Sequence, residues 1–163
     1  MTGAQWKEFD FDKMIWTIPP ERVKQNKGGE RIHKVPITNN MVIMLDELRA
    51  AFSYLCSAYV FPSTCSVKCR PGEKPIDRHS LSRAVNRKLS LFEVPKFTPH
   101  DLRRTIATRL GDSDIDTDPI VVEKILNHQL QGVQKVYNLQ EYMMKRKAAL
   151  EHWGHKFSFL DKE

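Results

Sequence analysis

The sequence predicts a mostly helical α+β domain with a small antiparallel β-sheet of two or three strands near the N-terminus. Three observations support this prediction. The first third contains short runs of β-branched and aromatic residues that end at prolines or polar turns. The remainder contains segments with apolar residues at helical spacing. Proline and glycine, which often mark the ends of helices, stand at the boundaries of several of these segments.

The predicted sheet is built from two main runs. "MIWTIP" (14–19) is rich in β-branched and aromatic residues and stops at a proline pair. "RIHKVPIT" (31–38) alternates apolar and polar residues, and its Pro36 suggests an edge strand or a strand end. The polar connection "ERVKQNKGGE" between the runs is longer than a two-residue hairpin turn. "FDFD" (9–12) is a candidate for a short third strand.

Five helices are predicted after the sheet, over residues 39–55, 77–92, 98–112, 118–129 and 139–157. The first has an asparagine as its N-cap candidate. The third begins with Thr98 as N-cap and Pro99 at the first helical position, and Gly111 stops it. The segment 60–77, with three prolines and a glycine, is predicted to be a loop.

Two helices show an apolar side. These sides comprise Leu81, Val85 and Leu89 in the second helix and Leu139, Met143 and Leu150 in the last. The chain shows no internal repeat, low-complexity tract or linker between domains. Residues 1–163 are therefore predicted to form a single domain.

The composition favours a polyanionic partner and an intracellular location. The net charge is +6 and the pI is about 9.3, and acidic residues cluster in "GDSDIDTD" (111–118), so the remaining surface is more basic than the total implies. No apolar run is long enough for a membrane span or a signal peptide. Three cysteines without disulfide-framework spacing favour a reducing cytoplasm. Cys65 and Cys69 lack the further ligands that structural zinc needs, so no metal is predicted.

The stretch "FTPHDLRRT" (97–105) concentrates positive charge at a predicted helix start. His100 and Arg103 are three residues apart and share one face of that helix, while Arg104 turns away. The exposed N–H groups and dipole of a first helical turn favour an anion. A histidine and an arginine on this face can bind one phosphate together. The alternative is a solvated helix start with surface arginines.

Two further residues gain meaning from their order along the chain. His128 follows an apolar helix in "KILNHQ", and Tyr137 lies nine residues later in "VQKVYN". Taken singly, a histidine near a helix end is usually a cap or a surface residue, and a tyrosine beside valine usually belongs to the core. The ordered set His100, Arg103, His128, Tyr137 is more specific than any member of it.

In this order the segments resemble the catalytic domain of the tyrosine recombinases, most closely the integrases of prophages and genomic islands. The resemblance covers nearly the whole chain. "HDLRRT" resembles the family's His-x-x-Arg box, "ILNH" its Leu-Gly-His box and "VYN" its nucleophile box, with Asn127 where glycine is commoner. The region from "WKEFDF" to "HKVPIT" resembles the family's β-hairpin region, which carries a catalytic lysine. By position Lys24 matches that lysine, with Lys27 as a second candidate.

The resemblance implies a set of five catalytic residues and a mechanism. Tyr137 would attack a DNA phosphate to give a 3′-phosphotyrosine and a free 5′-hydroxyl. Arg103 and His128 would stabilise the charged transition state, and His100 would help to remove the tyrosine proton. Lys24 would protonate the leaving 5′-oxygen. This chemistry needs no metal or other cofactor.

The resemblance also implies partners and exposes one departure. The expected partners are double-stranded DNA at attachment-type sites, further copies of the protein on that DNA, and accessory DNA-bending proteins. The family has another catalytic arginine just before the stretch that begins at Trp6, and residues 1–5 contain none. The chain is therefore expected to start downstream of that arginine and to be weakly active or inactive alone. The C-terminal segment 139–163 is expected either to pack on its own domain or to be exchanged between subunits.

Two other functions stay open on the sequence. A non-catalytic DNA-binding module of the same fold is favoured by the missing arginine and disfavoured by retention of the five site residues. A small phosphodiesterase or phosphatase could use the same histidines, arginine and tyrosine. It would need a compact deep pocket rather than a broad basic surface.

Overall fold

The computed structural model describes residues 2–23, 32–65, 69–91, 94–111, 117–128 and 139–156, with side chains from 142 onward in the last range. Its three strands are β1 (Phe9–Asp10), β2 (Ile15–Ile18) and β3 (His33–Pro36). They form one antiparallel sheet in the order β1-β2-β3. The predicted N-terminal sheet is thereby confirmed, and "FDFD" supplies the third strand.

An aromatic residue in the central strand anchors the sheet. Trp16 pairs with Phe9 on one side and with Val35 on the other. Its side chain is buried, and its ring stacks on that of Phe9 with centroids 5.1 Å apart and planes 8° from parallel. Offset-stacked aromatic pairs add stabilisation beyond the burial of apolar area. The stacked pair therefore helps to stabilise a sheet whose strands have only two to four residues.

The first helix, α1 (Asn39–Ala51), begins one residue earlier than an asparagine cap would require. Its N-cap is Thr38, whose hydroxyl accepts a hydrogen bond from the Met41 amide at 3.4 Å, so the predicted asparagine cap is wrong. Thr38 has extended backbone geometry and almost directly follows β3, so the chain enters the helix without an intervening turn. Threonine is itself a favourable N-cap residue.

Four more helices complete the described fold, namely α2 (Ser80–Lys88), α3 (Pro99–Leu110), α4 (Pro119–Ile125) and α5 (Leu139–His155). The mostly helical α+β class is confirmed. Single turns of 3-10 helix cover Trp6–Glu8, Pro20–Arg22, Ser53–Leu55 and Leu89–Leu91. Within the described ranges, none of the helices has the length and apolar character that crossing a membrane requires.

The buried residues form two clusters. The sheet cluster consists of Ala4, Trp16, Ile37, Leu45 and Val60, and the helical cluster of Leu110, Val121, Val122, Leu126, Tyr142 and Ala149. Helix α5 contacts α4 within the helical cluster and also touches β3 and α1 beside the sheet cluster. It therefore joins the two halves of the fold.

The apolar sides predicted for two helices are at most partly buried in the residues that the structure describes. Leu81 in α2 is 54% exposed, because α2 packs mainly on α3 and on the turn that follows it. In α5 the buried positions are Tyr142, Arg146 and Ala149, whereas Met143 and Leu150 are only partly buried. Because an arginine is one of these three buried residues, a pattern of apolar residues alone does not identify the buried side of α5. The side chain of Leu139 lies outside the described residues.

Candidate active site

The start of α3 has Thr98 as its N-cap and Pro99 at the first helical position, as predicted, and a capping box with Asp101 fixes it. The Asp101 carboxylate accepts hydrogen bonds from the Thr98 amide at 2.9 Å and the Thr98 hydroxyl at 2.7 Å. These two bonds, with smaller effects from Arg104 and His100, hold the pKa of Asp101 below its usual value. A carboxylate at this point also complements the positive end of the helix dipole. The box places His100 at the second helical position, where its side chain is exposed.

The two arginines of "HDLRRT" have different surroundings, as helical spacing predicts. Arg103 donates a hydrogen bond from Nη2 to the carbonyl oxygen of Leu126, at the end of α4. Arg104 is 75% exposed, and its nearest described carboxylate is Asp101 at 4.0 Å. At that separation and exposure an ion pair contributes little stability. Arg103 therefore joins α3 to α4, while Arg104 faces solvent.

The end of α4 is a Schellman motif centred on Asn127. The Asn127 amide donates to the Lys124 carbonyl at 3.2 Å, and the His128 amide donates to the Glu123 carbonyl at 2.9 Å. Asn127 has φ of 57°, in the left-handed region that favours glycine and tolerates asparagine. The same backbone role explains how asparagine can stand where glycine is commoner in the resembling family. His128 is thereby held one residue beyond the turn.

A carboxylate from α4 orients the His128 ring. Glu123 Oε2 lies 2.6 Å from His128 Nδ1, and the His128 side chain is half exposed. A hydrogen bond at Nδ1 fixes the ring orientation and leaves Nε2 as the nitrogen available to a substrate. Sequence reasoning missed Glu123. The contact arises because the chain reverses direction at Asn127, which brings His128 back beside the turn of α4 that carries Glu123.

Among the predicted site residues that the structure describes, Arg103 and His128 lie where α3 meets the end of α4. Arg103 reaches a carbonyl two residues before His128, and His100 lies one helical turn before Arg103. All three side chains are exposed or half exposed. Such exposure suits a large substrate and disfavours a deep pocket for a small ester. Lys24, Lys27 and Tyr137 lie outside the described residues.

A second tyrosine near the predicted nucleophile is buried. Tyr142 in α5 is 6% exposed, and Lys124 Nζ lies 4.6 Å from its ring centroid. It packs in the helical cluster together with Val121, Val122 and Leu126. A side chain in this position is poorly placed to attack a DNA phosphate. Tyr142 is thus part of the buried helical cluster.

Comparison with known proteins gives a family match and several relatives. A family model described as "Phage integrase family" matches residues 1–143. The chain is 23% identical to an integrase of Enterobacteria phage P4, over 93% of the chain and 35% of that protein. It is 27% identical to the prophage integrase IntZ of Escherichia coli strain K12, over 93% of the chain and 34% of that protein.

Further relatives show the same partial coverage. The chain is 27% identical to an integrase of Shigella phage Sf6, over 94% of the chain and 36% of that protein. It therefore spans about a third of the length of these curated relatives. No solved structure matches the chain significantly. The family match covers the sheet, the start of α3, the end of α4 and the segment beyond it, and on this ground the chain belongs to the phage integrase family.

Proposed function

We propose that this chain is the catalytic domain of a site-specific DNA recombinase that integrates or excises a mobile element. The supporting observation is the hydrogen bond from Arg103 to Leu126, which brings the His-x-x-Arg segment to the helix end that carries His128. Two segments that are 23 residues apart in sequence thereby meet at one surface. The relatives are about three times as long as this chain, so full recombination activity is proposed for a protein of that greater length.

The reaction is a phosphoryl transfer in which one phosphodiester bond is exchanged for another, so the energy of the broken bond is conserved. Tyr137 Oη attacks a backbone phosphorus, the P–O5′ bond breaks, and a 3′-phosphotyrosine ester forms. His100 takes the tyrosine proton, and Lys24 donates a proton to the leaving 5′-oxygen. Attack of another 5′-hydroxyl on the same ester reverses these steps and rejoins the DNA.

Arg103 and His128 are suited to stabilise the transition state because both are already oriented by the protein. A guanidinium has five N–H donors, and the bond to Leu126 uses one at Nη2. The others remain for the non-bridging oxygens of the phosphate, on which negative charge accumulates. Donors fixed before the reaction stabilise developing charge without the cost of reorganisation.

The 163-residue chain alone is proposed to cleave DNA slowly. The resembling family has a further catalytic arginine just before the stretch that corresponds to Trp6, and a polypeptide of these 163 residues would act without it. Removal of one such preorganised donor slows a reaction by roughly a hundredfold to a thousandfold. A DNA-binding module of this fold that has lost its chemistry is the second candidate.

The proposed partners and location follow from the same function. Double-stranded DNA suits the net charge of +6, and recombination between two sites suits several copies of the protein with accessory DNA-bending proteins. We propose that residues 1–163 form one domain that acts in the bacterial cytoplasm. Helix α5 packs on its own chain in this structure, and its exchange between subunits on DNA remains a proposal.

A covalent trap tests the proposed function. The protein is incubated with a library of nicked duplexes randomised around the nick. Cleavage releases a short fragment with a free 5′-hydroxyl, which diffuses away, so religation is prevented and the covalent adduct accumulates even when cleavage is slow. We expect adducts that survive SDS and are lost in Tyr137→Phe, while Tyr142→Phe retains them. Specific DNA binding without any adduct would favour the non-catalytic module. Steady hydrolysis of a soluble phosphodiester without a DNA adduct would favour a small phosphodiesterase.

A further inference from the structure

Two of the three cysteines lie between two paired segments of the chain. Residues 61–63 run antiparallel to residues 72–76, with Pro62 opposite Pro75. Three backbone hydrogen bonds of 2.8–2.9 Å hold these segments together, from the amides of Ile76, Ser63 and Gly72 to the carbonyls of Phe61, Lys74 and Ser63, respectively. Cys65 lies two residues after the first segment, and Cys69 lies three residues before the second.

The two cysteines lie close to each other in the fold. Cys69 Sγ is 4.0 Å from the carbonyl oxygen of Cys65. In an extended chain, residues four positions apart are separated by roughly 13 Å. The Cys65 amide donates to Ser63 Oγ at 3.3 Å, which ties the first cysteine to the end of its paired segment. Rotation of the Cys65 side chain about χ1 moves its sulfur relative to a backbone that Cys69 Sγ already contacts, so the pair is placed for a disulfide.

Both thiols of the pair can be reached from solvent. Cys65 is exposed, Cys69 is half-buried, and both are free thiols in the structure. In the described part of the chain, no three histidine, cysteine or acidic side chains come together as metal ligands. The chemistry that remains for two adjacent thiols is exchange with a disulfide. Cys56 is an exposed thiol outside the pair, with its sulfur 3.8 Å from the Ser53 carbonyl of its own turn.

We propose that Cys65 and Cys69 form a reversible redox site, which closes to an intramolecular disulfide when it reacts with a small disulfide such as oxidised glutathione. The inference goes beyond the proposed function and does not depend on it, because neither cysteine belongs to the proposed active site. In a reducing compartment such a disulfide is transient and marks oxidising conditions.

The reaction consists of two successive thiol–disulfide exchanges. The thiolate of the more exposed Cys65 attacks one sulfur of oxidised glutathione, the S–S bond of that molecule breaks, and one glutathione leaves. The thiolate of Cys69 then attacks the Cys65 sulfur of the mixed disulfide, and the second glutathione leaves. The two protons that the cysteines lose pass to the two glutathione thiolates. The protein dithiol is thereby oxidised by two electrons, and one glutathione disulfide is reduced to two thiols.

The experiment equilibrates the whole chain with mixtures of reduced and oxidised glutathione, blocks the remaining thiols with N-ethylmaleimide and measures the mass. Cys56→Ser isolates the pair, and we expect this variant to lose both free thiols and two hydrogen atoms without gaining glutathione. The matched controls add Cys65→Ser or Cys69→Ser to it, and each should keep one glutathione as a mixed disulfide because no second thiol is present. Trypsin cuts after Lys68, so the disulfide should join two peptides until it is reduced.

A second measurement tests whether the fold brings the thiols together. The equilibrium constant of Cys56→Ser with glutathione is determined in buffer and in concentrated urea, and we expect it to be larger in the folded protein by roughly tenfold or more. Equal constants would overturn the proposal, as would persistence of both free thiols or accumulation of mixed glutathione disulfides without closure. In wild type, a disulfide from Cys56 that forms before the Cys65–Cys69 disulfide would also overturn it.

Discussion

Arg103 in α3 donates a hydrogen bond from Nη2 to the carbonyl of Leu126, two residues before His128. The bond satisfies one of the carbonyls that a helix end leaves without an intrahelical partner. It also holds the guanidinium beside the helix end that carries His128. One contact thus serves the stability of the α3–α4 junction and the geometry of the proposed phosphate site.

Replacement of Arg103 should affect chemistry far more than stability. Arg103→Lys keeps the charge but loses the planar set of donors, so we expect covalent adduct formation to slow by roughly a hundredfold or more. The unfolding free energy should fall by only about 1 kcal/mol, the net value of a typical hydrogen bond. Single-turnover trapping and chemical denaturation measure the two effects. Arg104→Lys is the control, and a comparable loss of rate in that variant would argue against the assignment.

Glu123 is expected to assist cleavage through His128. Glu123→Gln weakens the contact at Nδ1 and leaves the ring less firmly oriented, so the rate should fall by roughly tenfold, equivalent to about 1–2 kcal/mol for a hydrogen bond to a charged group. His128→Ala should cause a larger loss. The double variant should be no slower than His128→Ala alone, because Glu123 acts through the ring. Additive losses in the double variant would show that Glu123 has another role.

Asn127 should tolerate glycine and reject β-branched residues. Its φ of 57° is accessible to glycine without strain, whereas a β-branched side chain is strained there by about 1–3 kcal/mol. Thermal unfolding should therefore show Asn127→Gly close to wild type and Asn127→Val clearly destabilised. Equal stability of the two variants would contradict a left-handed residue at this helix end.

The capping box at α3 predicts a pH-dependent contribution to stability. Because the pKa of Asp101 is lowered in the folded protein, mainly by hydrogen bonds from Thr98, its stabilising effect is present above the unfolded pKa. That effect is lost as the pH falls through the folded pKa. Asp101→Asn should be less stable than wild type at pH 7, and the difference should shrink below about pH 4. A difference that stays constant into acid would indicate that charge is not involved.

Much of the fold was predictable because local signals and tertiary packing agree. The signals that predict the strands and the start of α3 are local. They are the β-branched and aromatic residues of the strands, and the threonine and proline at the start of α3. Helical periodicity places Leu81 on the apolar side of α2 but cannot tell whether a partner surface covers it, and the residue is exposed. The buried strip of α5 was missed since Arg146 depends on a carbonyl 112 residues away in sequence.

The site was predictable as a set of residue types and only partly as a geometry. Helical spacing separates Arg103 from Arg104 without knowledge of the fold. The bond from Arg103 to Leu126 could not be foreseen, because it depends on how α3 crosses the end of α4. The contact between Glu123 and His128 was not predictable either, because it depends on the reversal at Asn127 that brings His128 back to α4. Contacts set by backbone reversals and helix crossings have no fixed spacing in sequence.

Identification of the residue bonded to DNA tests the central claim most directly. Adducts from the nicked-duplex trap are digested with protease and nuclease, and the modified peptide is analysed by mass spectrometry. The account predicts a nucleotide 3′-phosphate on Tyr137 and a free 5′-hydroxyl on the released fragment. An adduct on any other residue, a 5′-phosphate link, or cleavage that persists in Tyr137→Phe would contradict it.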